Sequence, residues 1–250
     1  MERAAVSGRL TWQRAAVVAI TPATAHASTL SLALPEWTRH AAGQHVDVRL
    51  RAEDGYVAER SYSIASAPEE PTVRLTVERI EEGEVSPYLV GELRVGDHLE
   101  VRGPIGGYFV WDTKQGGPLL LIAGGSGIVP LMAMLRHRQA SGDRSPTRLL
   151  YSSRSYDEVI YRDELERLAA DDAALMVSYT LTRAQPPGWG GYRRRLDAAM
   201  LDEVAWPSAQ RPLAFICGPT PFVEVAAAGL AALGYEAERI KTERFGPTGG

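Results

Sequence analysis

Apolar and polar residues follow two different patterns along this chain. From Gly8 to about Glu100 they alternate in short runs with a period near two, at residues 15–21, 29–34, 45–50, 61–65, 73–79 and 98–101, and turn residues such as Gly43, Asp54-Gly55, Glu82-Gly83 and Gly96-Asp97 fall between the runs. A period of two sends alternate side chains to opposite faces of an extended strand. Six such strands, with no sustained helical periodicity among them, predict a small antiparallel barrel, with one helix expected over 86–93.

From Pro118 onward apolar runs alternate with helical patterns. Strands are expected at 119–123, 148–151, 175–181, 213–217 and 239–243, and helices between them up to 139, over 157–170, near 196–203 and over 221–233. Alternation of this kind implies a parallel sheet covered on both faces and joined by right-handed crossovers. The chain therefore reads as a β-barrel followed by an α/β unit. The glycine-rich stretch 106–117 places the boundary, giving units 1–110 and 111–250.

The first strand of the second unit, Leu119-Leu120-Leu121-Ile122-Ala123, runs into Gly124-Gly125-Ser126-Gly127 and then into a helix containing Pro130. Glycines let a backbone approach a ligand closely, and the free amides and dipole of a helix start favour an anion. Gly125, Ser126 and Gly127 are thus candidates for a phosphate cradle. Pro130 stands where the third glycine of the dinucleotide fingerprint would fall.

Composition narrows the class. The 250 residues are 45% hydrophobic and 23% charged with a net charge of −4, which argues against a nucleic-acid surface. No window approaches a membrane span and no signal-peptide pattern opens the chain, so a soluble cytoplasmic protein is expected. Cys217 is the only cysteine, which excludes an intrachain disulfide or a cysteine-held iron–sulfur cluster within these residues. The five histidines show no metal-ligand spacing, and Gly125-Ser126-Gly127 lacks the spacing of a nucleophile elbow.

Two constellations remain. In the barrel, Arg60-Ser61-Tyr62-Ser63 puts a cation, an aromatic ring and a hydroxyl on one strand, and Gly83-Glu84-Val85-Ser86 precedes a helix. In the second unit, Cys217 ends an apolar strand before Gly218-Pro219, at the sheet edge where open α/β folds bind ligands. The strand at 148–151 leads into Ser152-Ser153-Arg154, where an acidic residue would favour a ribose 2′-hydroxyl and repel a 2′-phosphate.

These motifs, with Gly103-Pro104-x-Gly106 and Glu243-x-Phe245, occur in an order that resembles the ferredoxin–NADP reductase superfamily in a compact form without an iron–sulfur domain. The resemblance implies an FAD-dependent NAD(P)H oxidoreductase. Arg60 would neutralise the flavin pyrophosphate, Tyr62 would lie against the isoalloxazine ring, and Ser63 would bond the ring near N5. Gly83, Val85 and Ser86 would bind the pyrophosphate, and Phe245, in a C-terminal tail, would cover the other flavin face. Cys217 would lie beside the nicotinamide C4, followed by Gly218 and Pro219 in the nucleotide site. Glu243 is a candidate for stabilising charge or relaying protons, with a solvated strand-end carboxylate as the equal alternative.

Thr182-Arg183 resembles the pair that clasps a 2′-phosphate, and with Arg154 it implies NADP rather than the alternative, NAD. One of Arg193, Arg194 and Arg195 is a third candidate for that phosphate. The expected electron acceptor is a separate redox protein, a ferredoxin or an oxygenase component, because the chain ends at Gly250 without a cluster or haem domain. A flavin or quinone reductase acting on a small molecule, and a non-catalytic flavin-binding subunit of a larger complex, are the alternatives.

Overall fold

The structure is a computed structural model that describes residues 10–37, 39–52 and 54–246. Six strands form its first sheet: β1 (Gln13–Thr24), β2 (Ala27–Ala33), β3 (His45–Arg51), β4 (Val57–Ser63), β5 (Val73–Glu78) and β6 (His98–Ile105). They are antiparallel in the order β4-β3-β6-β1-β2-β5. The Ile64–Leu75 bridge, with the Ala65 N–H donating to the Arg74 carbonyl, joins the end of β4 to β5 and closes the sheet on itself. Inward side chains such as Val17, Leu30, Leu32, Val46, Leu75 and Val101 fill the interior, and Val85 and Leu89 plug it from α1 (Ser86–Gly91) and the residue before it. Alternation at period two thus becomes a packed barrel core.

The second sheet is parallel, in the order β11-β10-β7-β8-β9, with β7 (Leu119–Gly124), β8 (Thr147–Ser153), β9 (Leu175–Leu181), β10 (Leu213–Pro219) and β11 (Ile240–Phe245). Leu120, Ile122, Ala214 and Ile216 pack on the side of α4 (Ala198–Val204) and α5 (Thr220–Ala232). Leu119, Leu121, Ala123, Phe215 and Cys217 pack on the side of α2 (Ile128–Ala140) and α3 (Arg162–Asp171). Burial on both faces explains why these strands read as unbroken apolar runs. The chain begins at the central β7, moves outward to β9 and returns to β10 on the other side, so the carboxyl ends of β7 and β10 flank the switch point where such sheets bind ligands.

Helix α2 is buried around its whole circumference from Ile128 to Leu135. It lies between the two units, in a cluster that includes Ala42 and Ala65 from the barrel side, and a helix enclosed on all sides needs no polar face. The seam is fastened by polar groups. The Arg136 guanidinium donates to the Ala65 carbonyl, is held by both oxygens of Glu164, and lies 4.7 Å above the Tyr161 ring, whose hydroxyl bonds Thr76 of β5.

Several elements differ from expectation. The helix expected over 157–170 begins only at Arg162, because Tyr161 has a φ of 62° and a left-handed residue cannot continue a right-handed helix. The short helix near 196 begins at Ala198, since the Asp197 side chain caps it by accepting from the Met200 N–H. β4 begins at Val57 instead of Ser61, and it carries Arg60 on the strand as expected. Phe245 is the last residue of β11 and not part of a tail, and residues 247–250 of that expected tail lie outside the described residues. No helix among the described residues is long and apolar enough to cross a membrane.

Candidate functional site

The glycine-rich turn after β7 forms one 3-10 turn, Gly125–Gly127, that opens directly into α2, with Pro130 inside the first helical turn. Gly125 adopts a φ of 56°, which favours glycine. Gly127 is required for another reason: a Cβ there would stand 2.1 Å from the Cys217 carbonyl oxygen, so this glycine lets β10 close against the turn. The cradle expected from 125–127 therefore divides its roles. Gly127 serves packing, while Gly125 and Ser126 border an open cleft.

That cleft, about 400 Å³, lies between the units. Its wall on the parallel-sheet side carries Gly125, Ser126, Arg154, Thr182, Pro219 and Phe245 of the expected site residues, together with Glu158 and Phe222. The facing wall comes from the barrel, from Thr24, His26, Glu78, Arg79 and Glu81. Sequence reasoning missed these, because nothing in the chain says which barrel rim turns toward the second unit. Phe222 carries a clearer signal: its ring packs against Gly124 and Gly218, where Cβ atoms would come within 2.9 and 2.8 Å of it, so two glycines pair with one aromatic across the strand ends.

Arg154 and Arg183, 29 residues apart in sequence, are knitted together through their backbones. The Arg183 and Ala184 amides both donate to the Arg154 carbonyl, and Thr182 donates to the Ser153 carbonyl through its amide and its hydroxyl. Asp157 lies 3.9 Å from Arg162, and among the described residues no carboxylate lies within 4.0 Å of Arg154 or Arg183. The nearby arginine run is partly spent locally: Arg194 pairs with Asp197, and Arg193 donates to the Trp189 carbonyl.

Cys217 does not line the open cleft. It is 2% exposed in the apolar cluster beside α2, and burial, followed by the charge of Glu243, pushes its thiol well above the usual range. Glu243 stands beside it in parallel register on β11. Burial raises this carboxyl from 4.5 to about 7, and its Oε2 has no hydrogen-bond partner. The alternative of a solvated strand-end carboxylate does not hold here.

On the barrel, Tyr62 packs against the core from β4, and burial pushes its hydroxyl up to about 12. Ser63 ends β4 and faces His45 across the β3 pair. The turn before α1 departs from its expected role in part. The Val85 side chain is core, leaving only its backbone for a ligand. The Ser86 hydroxyl accepts from the Ile80 N–H at 3.0 Å, which leaves its own proton to donate. Gly83 is held near this hydroxyl, its missing Cβ 3.0 Å from the Ser86 oxygen. Arg60 is exposed and bound to Glu84, its Nη2 donating to Oε2 at 2.6 Å.

A closed antiparallel barrel whose rim faces the switch point of a five-stranded parallel sheet across an open cleft defines a two-unit class of fold. The profile of the oxidoreductase FAD-binding domain matches residues 15–110, and that of the oxidoreductase NAD-binding domain matches residues 121–228. Ferredoxin–NADP reductase B of Sorangium cellulosum is 36% identical over 210 residues, covering 82% of this chain and 84% of that protein. The chain belongs to the ferredoxin–NADP reductase family of oxidoreductases. The glycine betaine monooxygenase reductase subunit of Pseudomonas aeruginosa is 34% identical over 209 residues, 82% of this chain and 56% of that protein, so the chain spans a little over half the length of this relative. The flavohaem-like FAD/NAD-binding domain of a Vibrio cholerae nitric oxide dioxygenase superposes with a TM-score of 0.84 at 25% identity, covering 96% of this chain and all of that domain.

Proposed function

We propose that the chain oxidises NADPH through a bound FAD and delivers the electrons to a separate redox protein, with residues 1–110 as the flavin unit and 111–250 as the nucleotide unit. The observation that carries this reading is the open cleft between the units. It places the Gly125-Ser126 turn, Arg154, Thr182 and Phe245 on one wall and the barrel rim on the other. Bound at the barrel, FAD supplies the centre that takes a hydride from nicotinamide and passes its electrons on.

The protein's part is to bind, orient and shield. Tyr62 and Phe245 would each cover one face of a planar ring, and stacking of about 0.5–1.5 kcal/mol holds a ring that must still be approached. Phe245, 37% exposed at the end of its strand, is the cover that yields to nicotinamide. Ser63 would hydrogen-bond the flavin ring, and Gly83, Val85 and Ser86 would supply backbone and hydroxyl donors to the pyrophosphate. Cys217, buried behind the part of the cleft wall formed by Pro219 and Phe222, would orient the nicotinamide ring from beneath that wall. Glu243, whose carboxyl burial raises to about 7, would supply or accept a proton beside it near neutral pH.

Arg154 and Arg183, with Thr182 bonded to the Ser153 carbonyl between them, would read the 2′-phosphate, which supports NADPH over NADH. The separate acceptor is supported by the relative named as the reductase subunit of an oxygenase. Purification tests the reading: the chain is expected to be yellow, to release FAD rather than FMN, and to oxidise NADPH steadily with an artificial acceptor. A flavin-loaded chain inert to both nicotinamides would instead make it a non-catalytic subunit, and rapid turnover with free flavin or quinone alone would favour a small-molecule reductase.

A further inference from the structure

We infer that Glu84 gates the flavin site by occupying Arg60 until a pyrophosphate replaces it. The inference rests on the flavin reading of Arg60 given above. Glu84 lies inside the Gly83–Ser86 turn, and its two oxygens are both engaged: Oε2 accepts from Arg60 Nη2 at 2.6 Å and Oε1 accepts from the Tyr56 hydroxyl at 2.6 Å. Among the described residues Arg60 makes one other side-chain bond, to the carbonyl of Glu59. Its side chain is 52% exposed and that of Glu84 47%, so the pair lies on the surface where a ligand can reach it.

A turn that must accept a diphosphate carries a carboxylate aimed at the only arginine on its strand. The two anions compete for one cation. A diphosphate with several oxygens satisfies the planar guanidinium better than one carboxylate oxygen does. Its arrival therefore displaces Glu84, and the displaced carboxylate repels the phosphates from close range. The Tyr56 hydroxyl holds the other oxygen and keeps the carboxylate in place when the site is empty. Because the pair is exposed, its hold on Arg60 is modest, and flavin exchange is slowed but not blocked.

The full chain stripped of flavin tests this by fluorescence titration with FAD, FMN and riboflavin. Glu84→Gln keeps the shape of the side chain and removes its charge, and is expected to tighten FAD and FMN by about fivefold. Riboflavin, which has no phosphate, is expected to bind the variant and the wild type equally. An unchanged or weaker FAD affinity in Glu84→Gln overturns the gate, and so does an equal gain for riboflavin. A wild-type chain that takes up none of the three overturns the flavin reading and the gate with it.

Discussion

The two arginine sites of this molecule differ in what holds them before a ligand arrives. On the barrel, Arg60 is already paired, with Glu84 at 2.6 Å and Tyr56 bracing that carboxylate. On the parallel sheet, Arg154 and Arg183 are brought together by backbone bonds between strand ends, and no carboxylate among the described residues comes within 4.0 Å of either. An arginine with a resident partner exchanges one anion for another and suits a cofactor that stays bound. Arginines without one present their full charge to each incoming phosphate and suit a substrate that comes and goes.

Four measurements break or sharpen this contrast, and they differ in expected size. Cys217 belongs to neither arginine site, so Cys217→Ala is expected to slow hydride transfer at saturating nucleotide by roughly a hundredfold, as a misplaced reacting ring does, while FAD affinity and nucleotide KM stay close to wild type. A loss confined to KM would move Cys217 from orientation to binding. Next, Arg154→Ala combined with Arg183→Ala is expected to lower kcat/KM for NADPH by at least about a hundredfold and to leave NADH nearly untouched, since each charge-assisted contact is worth roughly 1.5–3 kcal/mol. Equal losses for both nucleotides would show that the arginines hold the loop and not the phosphate.

Arg60→Ala is expected to weaken FAD by roughly tenfold in fluorescence titration, at the low end for a charge-assisted contact because wild-type Arg60 must first leave Glu84. A loss as large as that of the nucleotide pair would erase the difference between the sites. The smallest effect concerns Glu243. Its carboxyl is neutral in the folded chain up to about pH 7, whereas in the unfolded chain it ionises near 4.5. The unfolded state therefore binds fewer protons between those values, and the stability contribution, complete below pH 4.5, is lost as pH rises through 7. Glu243→Gln is expected to flatten that decline and to raise Tm at pH 8 by a few degrees, for about 1 kcal/mol. A wild-type Tm independent of pH across this window in the Glu243-dependent part would contradict the burial of that carboxyl.

Both sheets and their order of chemistry were legible in the chain, because a period of two and an unbroken apolar run each carry a direct message about burial. The tight turn at Gly125 was legible from its glycines, but the reason for Gly127 was not, since it lies in the carbonyl of Cys217, 90 residues away. Tyr161 stopped a helix that its neighbours would have continued, and a left-handed tyrosine has no local signature. The barrel wall of the cleft, with Glu78 and Arg79, and the Arg60–Glu84–Tyr56 contact depend on how two units meet and how loops fold back. Spacing along the chain does not encode either.

The most direct test is anaerobic stopped-flow mixing of the purified, FAD-loaded chain with NADPH and, separately, with NADH. The visible flavin absorbance is expected to bleach in one turnover with either nucleotide, reaching its half-maximal rate at a much lower concentration of NADPH than of NADH, and at least as fast as steady-state turnover. A flavin that stays oxidised with both nucleotides would contradict a hydride path across the cleft between the barrel and the parallel sheet.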